Sequence, residues 1–147
     1  MRGILDTMKT VTRSQKLSPI AGRAWKRLEA AFPTWRSHLS CRDGELEFSL
    51  PAPAGSAAGH LVAFSYENDL WLRFDPPYMC YPVDDESEMA SLIESITADR
   101  VVFRITMKGK EWVETTLAKP RQHSNSASGQ TVQQISWSGA FDKIESR

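Results

Sequence analysis

The densest group of ionisable side chains is the run Asp84-Asp85-Glu86-Ser87-Glu88. Paired carboxylates can exchange protons in a reaction, but that work needs a cleft and shifted pKa values. The same residues have a simpler use at a helix start, where unpaired N–H groups and the helix dipole favour negative charge. Asp85 followed three residues later by Glu88 has the spacing of a capping box. Other reactive types are scattered. Ser136 and Ser138 have no base near them in sequence, and no G-x-S-x-G elbow occurs. The loop Pro51 to Gly59 holds Gly and Ser but no Lys, so it lacks the pattern of a phosphate loop. Cys41 and Cys80 belong to no C-x-x-C pair. His38, His60 and His123 have no second ligand at metal-binding spacing. The reading is therefore a non-enzyme, with no catalytic residue, no metal ligand and no cofactor.

Binding chemistry is better represented. In Leu70-Trp71-Leu72-Arg73-Phe74 the alternation predicts that Trp71 and Arg73 face out if the apolar residues face in. Tyr78 and Tyr81 lie in a proline-flanked segment directly before the carboxylate run. Trp, Tyr and Arg are the side chains enriched at interface hot spots. Trp71, Arg73, Tyr78, Tyr81, Asp84, Asp85 and Glu86 are thus the expected partner-binding residues.

Charge supports that expectation. The formal net charge of the 147 residues is zero, but it is unevenly placed. Residues 1–42 hold nine Lys/Arg against two Asp/Glu, net +7. Residues 43–99 hold one Lys/Arg against twelve Asp/Glu, net −11. Residues 100–147 hold eight against four, net +4. Part of this segregation pairs internally, and part can present an acidic face to a basic partner. A nucleic-acid surface would need a basic domain with a Lys/Arg stripe, so none is expected. No apolar run approaches the ~18 residues of a membrane span. Met1 to Lys16 has no apolar signal-peptide core, which points to the reducing cytoplasm with both cysteines as thiols.

The elements that would position these residues follow from periodicity. A chain of this length makes about one domain, read as an N-terminal arm over 1–17 and a single domain over 18–147. Ser18-Pro19 is a helix start. After it Ala21, Ala24, Trp25, Leu28, Ala31, Phe32 and Trp35 recur at helical spacing, and Pro33 is expected to kink or end the helix. Strands are predicted over Glu45–Leu50, Leu61–Tyr66 and Leu70–Phe74, with short turns that argue for an antiparallel meander. A second helix opens at Asp84–Glu88. Strands follow over Asp99–Met107, Glu111–Leu117 and Thr131–Trp137. The order α, β, β, β, α, β, β, β predicts an α+β fold, one antiparallel sheet of about six strands packed against two helices.

One family resemblance adds to this. The stretch DLWLRFDPPYMCYPVDDESEM, then ADRVVF, EWVETTL and ISWSGAFD resemble domains grouped with the immunity proteins of bacterial polymorphic toxin systems. The resemblance covers about residues 46–144. It implies a cytosolic protein without enzymatic activity that binds and neutralises one cognate toxin. Toxin domains that cut nucleic acid are commonly basic because they bind phosphates, which suits an acidic binding face. The alternative from a different class is a regulatory domain that takes a small molecule or peptide in a pocket between sheet and helices.

Overall fold

Ser18 opens the first helix in the manner its neighbour Pro19 requires. Its backbone is extended, and its side-chain oxygen accepts the Ala21 N–H at 3.2 Å. In this computed structural model residues 17–75, 79–123 and 127–146 are described. The arm expected over 1–17 lies outside them except for Leu17. Helix α1 (Pro19–Ala31) buries Ala21, Ala24, Trp25 and Leu28 as one stripe. Pro33 cannot continue it and instead starts a 3₁₀ helix, Pro33–His38. The Phe32 ring between them stacks on Trp35 at 5.3 Å and on Phe48 at 6.2 Å.

The described strands are β1 (Leu39–Arg42), β2 (Glu45–Pro51), β3 (His60–Tyr66), β4 (Asp69–Asp75) and β5 (Tyr81–Val83) before helix α2 (Glu86–Thr97). After it come β6 (Val102–Lys108), β7 (Glu111–Ala118), β8 (Gln130–Ile135) and β9 (Lys143–Ser146). The α+β class is as expected. The single sheet of about six strands is not what forms. The chain builds two antiparallel sheets, of five strands in the order β1-β2-β3-β4-β5 and of four in the order β7-β6-β8-β9. The reason lies in β6. It takes β7 on one side and β8 on the other, so that Phe103 stands opposite both Leu117 and Ile135. With both edges occupied, β6 cannot extend the first sheet. β1, β5 and β9 add the remaining strands, and at three or four residues each they are too short to show alternation.

Two hairpins of the first sheet turn on left-handed residues. Asp43 and Gly44 have φ of 53° and 81°, and Glu67 and Asn68 have φ of 47° and 71°. Two consecutive positive φ values make the tight turn that matches strand twist. Asp69, expected in the second turn, is instead the first residue of β4.

By contacts the chain divides into two compact units. Of the described residues, those up to Leu50, with Val62–Leu72 and Pro82–Ala90, form the first; Pro51–Leu61, Arg73–Tyr81 and the residues from Ser91 onward form the second. In the first unit Leu28, Leu46, Phe48, Leu72 and Met89 are fully buried. In the second the core is centred on Phe103, whose ring lies 4.8 Å from that of Phe74 and 6.3 Å from that of Tyr81.

The small-residue loop Pro51 to Gly59 reads from sequence as a flexible connector, yet it is pinned. Ala52 N–H donates to the Gly59 carbonyl at 2.8 Å. The Ser56 hydroxyl donates to the Ser136 carbonyl at 3.2 Å, and the Ala57 N–H donates to Asp142 Oδ2 at 3.3 Å. The other Asp142 oxygen accepts the Ser136 N–H at 2.6 Å and the Ser136 hydroxyl at 3.0 Å. Gly139 completes the clip: a Cβ there would stand 3.0 Å from Ser56 Cα. The ISWSGAFD segment therefore works as a structural clasp.

Candidate functional site

The acidic run sits where its residues belong chemically. Asp85 caps α2: its carboxylate accepts the Glu88 N–H at 2.8 Å, and its carbonyl accepts the Met89 N–H at 3.0 Å. Glu88 reaches back to the Asp84 N–H at 2.8 Å. This is a capping box with the return bond one residue earlier than usual. Glu86 faces the basic side of α1, with Arg23 at 3.9 Å. Asp84 and Asp85 are exposed, and neither carboxylate forms an ion pair among the described residues.

Of the aromatic and basic residues expected beside this run, Trp71 lies with Asp84, Asp85 and Glu86 in the first unit. Arg73 and Tyr81 belong to the second, and Tyr78 lies outside the described residues. Leu70, Leu72 and Phe74 are buried, so Trp71 and Arg73 do occupy the opposite face of β4. That face is half-covered rather than open. Arg73 Nε lies 2.5 Å from Asp75 Oδ1, two residues along the same face of the strand. Arg73 also hydrogen-bonds the Cys80 thiol. Burial pushes that thiol up, and Arg73 offsets the shift only in part. Cys80 is thus no low-pKa nucleophile. Tyr81 is half-buried, with its ring turned towards Phe103.

Two surfaces escaped the sequence reading. Tyr66 is 58% exposed at the end of β3. Its turn is tied down by Glu45, whose carboxylate accepts the Ser65 hydroxyl at 2.8 Å and the Glu67 N–H at 2.9 Å. Exposed Glu67 and Asp69 flank it. The signal was available: Tyr66 directly precedes a Glu-Asn-Asp turn. On β7, Trp112 and Val113 are exposed at 50% and 44%. Periodicity alone gave no reason to separate Trp112 from the core.

The second unit also holds a buried guanidinium. Arg104, 6% exposed, donates to Gln134 Oε1 at 2.8 Å, to the His123 carbonyl at 3.4 Å and to the Gln122 carbonyl. Gln134 in turn donates to the carbonyls of Pro120 and Phe141 at 3.1 and 2.8 Å. These bonds fasten two loops onto the sheet. Three of the five guanidinium donors are thereby engaged.

Ser136 is hydrogen-bonded to a carboxylate, but it is 0% exposed and Asp142 already accepts three hydrogen bonds. Among the described residues no group of three or more His, Cys, Asp or Glu could hold a metal ion. Among them too, no helix is long and apolar enough to cross a membrane. Comparison with protein-family models, with curated proteins and with solved structures found no match.

Proposed function

We propose that this chain is a binding protein that captures and neutralises a basic partner through an acidic, aromatic-bearing surface, as an immunity protein neutralises its cognate toxin domain. The observation that carries the reading is the state of the α2 start. Asp84 and Asp85 stand in solvent with no cation paired to either among the described residues. Their neighbours Glu86 and Glu88 are already used, one by Arg23 and one by the cap. Helix-start chemistry explains Asp85 and Glu88; it leaves Asp84 over.

Aromatic anchors accompany the charge. Trp71, in the same unit as the carboxylates, is partly exposed on β4. Tyr66 beside Glu67 and Asp69 repeats the pairing of an aromatic ring with carboxylates. Carboxylates in solvent would raise the association rate of a basic partner, and the rings would set how long it stays. The partner is a cytoplasmic toxin domain rich in Lys and Arg, of the kind that grips phosphates.

The test is binding to the polypeptide encoded beside this gene, followed by surface plasmon resonance over a range of salt. Tight binding with an association rate that falls steeply as salt rises supports the proposal. A salt-independent association rate would count against the acidic face, and absence of binding against the reading as a whole.

A further inference from the structure

Ser18 N–H donates to the Gly44 carbonyl at 2.9 Å, which fixes the point where the chain enters the first unit beside the β1–β2 turn. Strands β1 to β4 follow one another as antiparallel neighbours, so the β3–β4 turn lies at the same end of the sheet. Glu45 ties the two turns together through Ser65 and Glu67. On β2, β3 and β4 the residues Leu46, Phe48, Ala63, Ser65, Leu70 and Leu72 are buried. Glu47, Tyr66, Asp69 and Trp71 alternate with them and therefore share the opposite face. Tyr66 is 58% exposed, and Trp71 is partly exposed. Glu47, Glu67 and Asp69 are exposed, and none of the three forms an ion pair among the described residues. The nearest cation by register is Arg42, which stands opposite Glu45. The result is an aromatic patch with an acidic rim, next to the point of chain entry.

Charge and reach select the occupant. Residues 1–16 hold Arg2, Lys9, Arg13 and Lys16 against Asp6, net +3, and carry the apolar side chains of Ile4, Leu5, Met8 and Val11. The exposed Arg23, Lys26 and Arg27 of α1 would repel such a segment. Glu47, Glu67 and Asp69 attract it, and Tyr66, the most exposed of the described aromatic rings, offers its apolar residues a surface. Extended, residues 1–16 reach about 50 Å, against ~20 Å for the width of five strands. We propose that residues 1–16 dock in cis on this face of the first sheet, with Lys9 and Arg13 among the carboxylates and the apolar residues against Tyr66. A short tether keeps the segment at a roughly millimolar effective concentration, so a weak contact suffices. A basic partner that uses Tyr66 must then displace the segment. That consequence rests on the functional reading above; the docking itself does not.

Backbone 15N relaxation of the full chain tests this without any partner, so its outcome is separate from that of the toxin-binding test. Order parameters over residues 4–13 are expected above about 0.6 at low salt, unchanged across a dilution series. They should fall below that value with Lys9→Glu and Arg13→Glu together, with Glu67→Lys and Asp69→Lys together, and with Tyr66→Ala. Combining the two charge reversals should restore them. The Lys9 and Arg13 reversal should also move the amide signals of Tyr66 to Trp71. Glu67, Asp69 and Tyr66 are exposed, so the signals of the buried core should stay in place in every variant. Order parameters below about 0.6 in the parent chain overturn the proposal. So does order that survives either reversal, a combined variant no better than either pair, or order that grows with concentration. Amide shifts centred on Asp84 and Asp85 instead of Tyr66 overturn it too.

Discussion

Asp85 accepts the Glu88 backbone N–H at 2.8 Å, while the Glu88 carboxylate accepts the Asp84 N–H at the same distance. This exchange sorts the acidic run by role. Asp85 and Glu88 hold the helix start, and Glu86 is drawn to Arg23. Asp84 contributes its backbone to the cap and leaves its carboxylate in water. Fold and binding can therefore be tested at adjacent residues.

Replacing Asp85 with Ala removes the cap and should lower stability by about 1 kcal/mol. Replacing Asp84 with Ala should change it by less than about 0.5 kcal/mol. Urea unfolding of both variants decides the matter. Equal losses would mean that capping is not what Asp85 supplies.

Gly139 and Gly55 offer a matched pair. Both have positive φ, +86° and +91°. A Cβ at Gly55 meets nothing within 4 Å, whereas one at Gly139 meets Ser56 Cα at 3.0 Å and the Gly55 carbonyl oxygen at 3.2 Å. Gly55→Ala should cost roughly 1–2 kcal/mol of backbone strain. Gly139→Ala should cost that and a further ~1–3 kcal/mol, because backbone must move apart. Comparable melting curves for the two would show that the clasp is looser than its hydrogen bonds imply.

Removing the Arg104 guanidinium should destabilise the second unit. Arg104→Met leaves Gln134 Oε1 and two loop carbonyls without their donor, at a cost of about 2 kcal/mol or more. Arg104→Lys should rescue little, since one ammonium cannot span the positions that the planar fork reaches. Guanidinium denaturation measures both. A Lys variant as stable as the parent would show that charge, and not fork geometry, is what matters.

Cys80 gives a pH signature. Burial raises its thiol above the ordinary value of 9.0. The folded state thus holds this proton more tightly than the unfolded chain does. Its contribution to stability is complete below pH 9 and is lost as pH rises through the folded-state value. In a Cys41→Ser background the iodoacetamide rate plotted against pH should have its midpoint above 9.0. A midpoint below that value would mean that Arg73 outweighs burial.

Much of the fold was legible because its signals are local. Ser18-Pro19 and the Asp85/Glu88 spacing each specify a helix start within four residues. The longer strands, from Glu45 to Ile135, carry enough alternation to be seen. Pairing between strands is not local. Nothing in Val102–Lys108 states that both its neighbours come from later in the chain, and that fact splits the expected single sheet in two. The candidate surface was legible to the same degree. Asp84 and Asp85 are exposed because a helix start projects its carboxylates. Arg73 faces away from the buried side of β4, as alternation requires, but Asp75 has the same parity and takes up its charge. Trp112 was opaque because its exposure depends on one extra residue, Val113, which only the register reveals.

The central claim is that solvated carboxylates at the start of α2 recruit a basic partner. The most direct measurement is the association rate of the neighbouring-gene polypeptide with the parent chain and with Asp84→Lys, at low and at moderate salt. Asp84 has no described ion pair and no side-chain part in the cap, so the variant should fold as the parent does. The account predicts a several-fold slower association at low salt, a shallower salt dependence and a dissociation rate close to the parent's. Identical association rates at both salt concentrations, with the partner still bound, would contradict it.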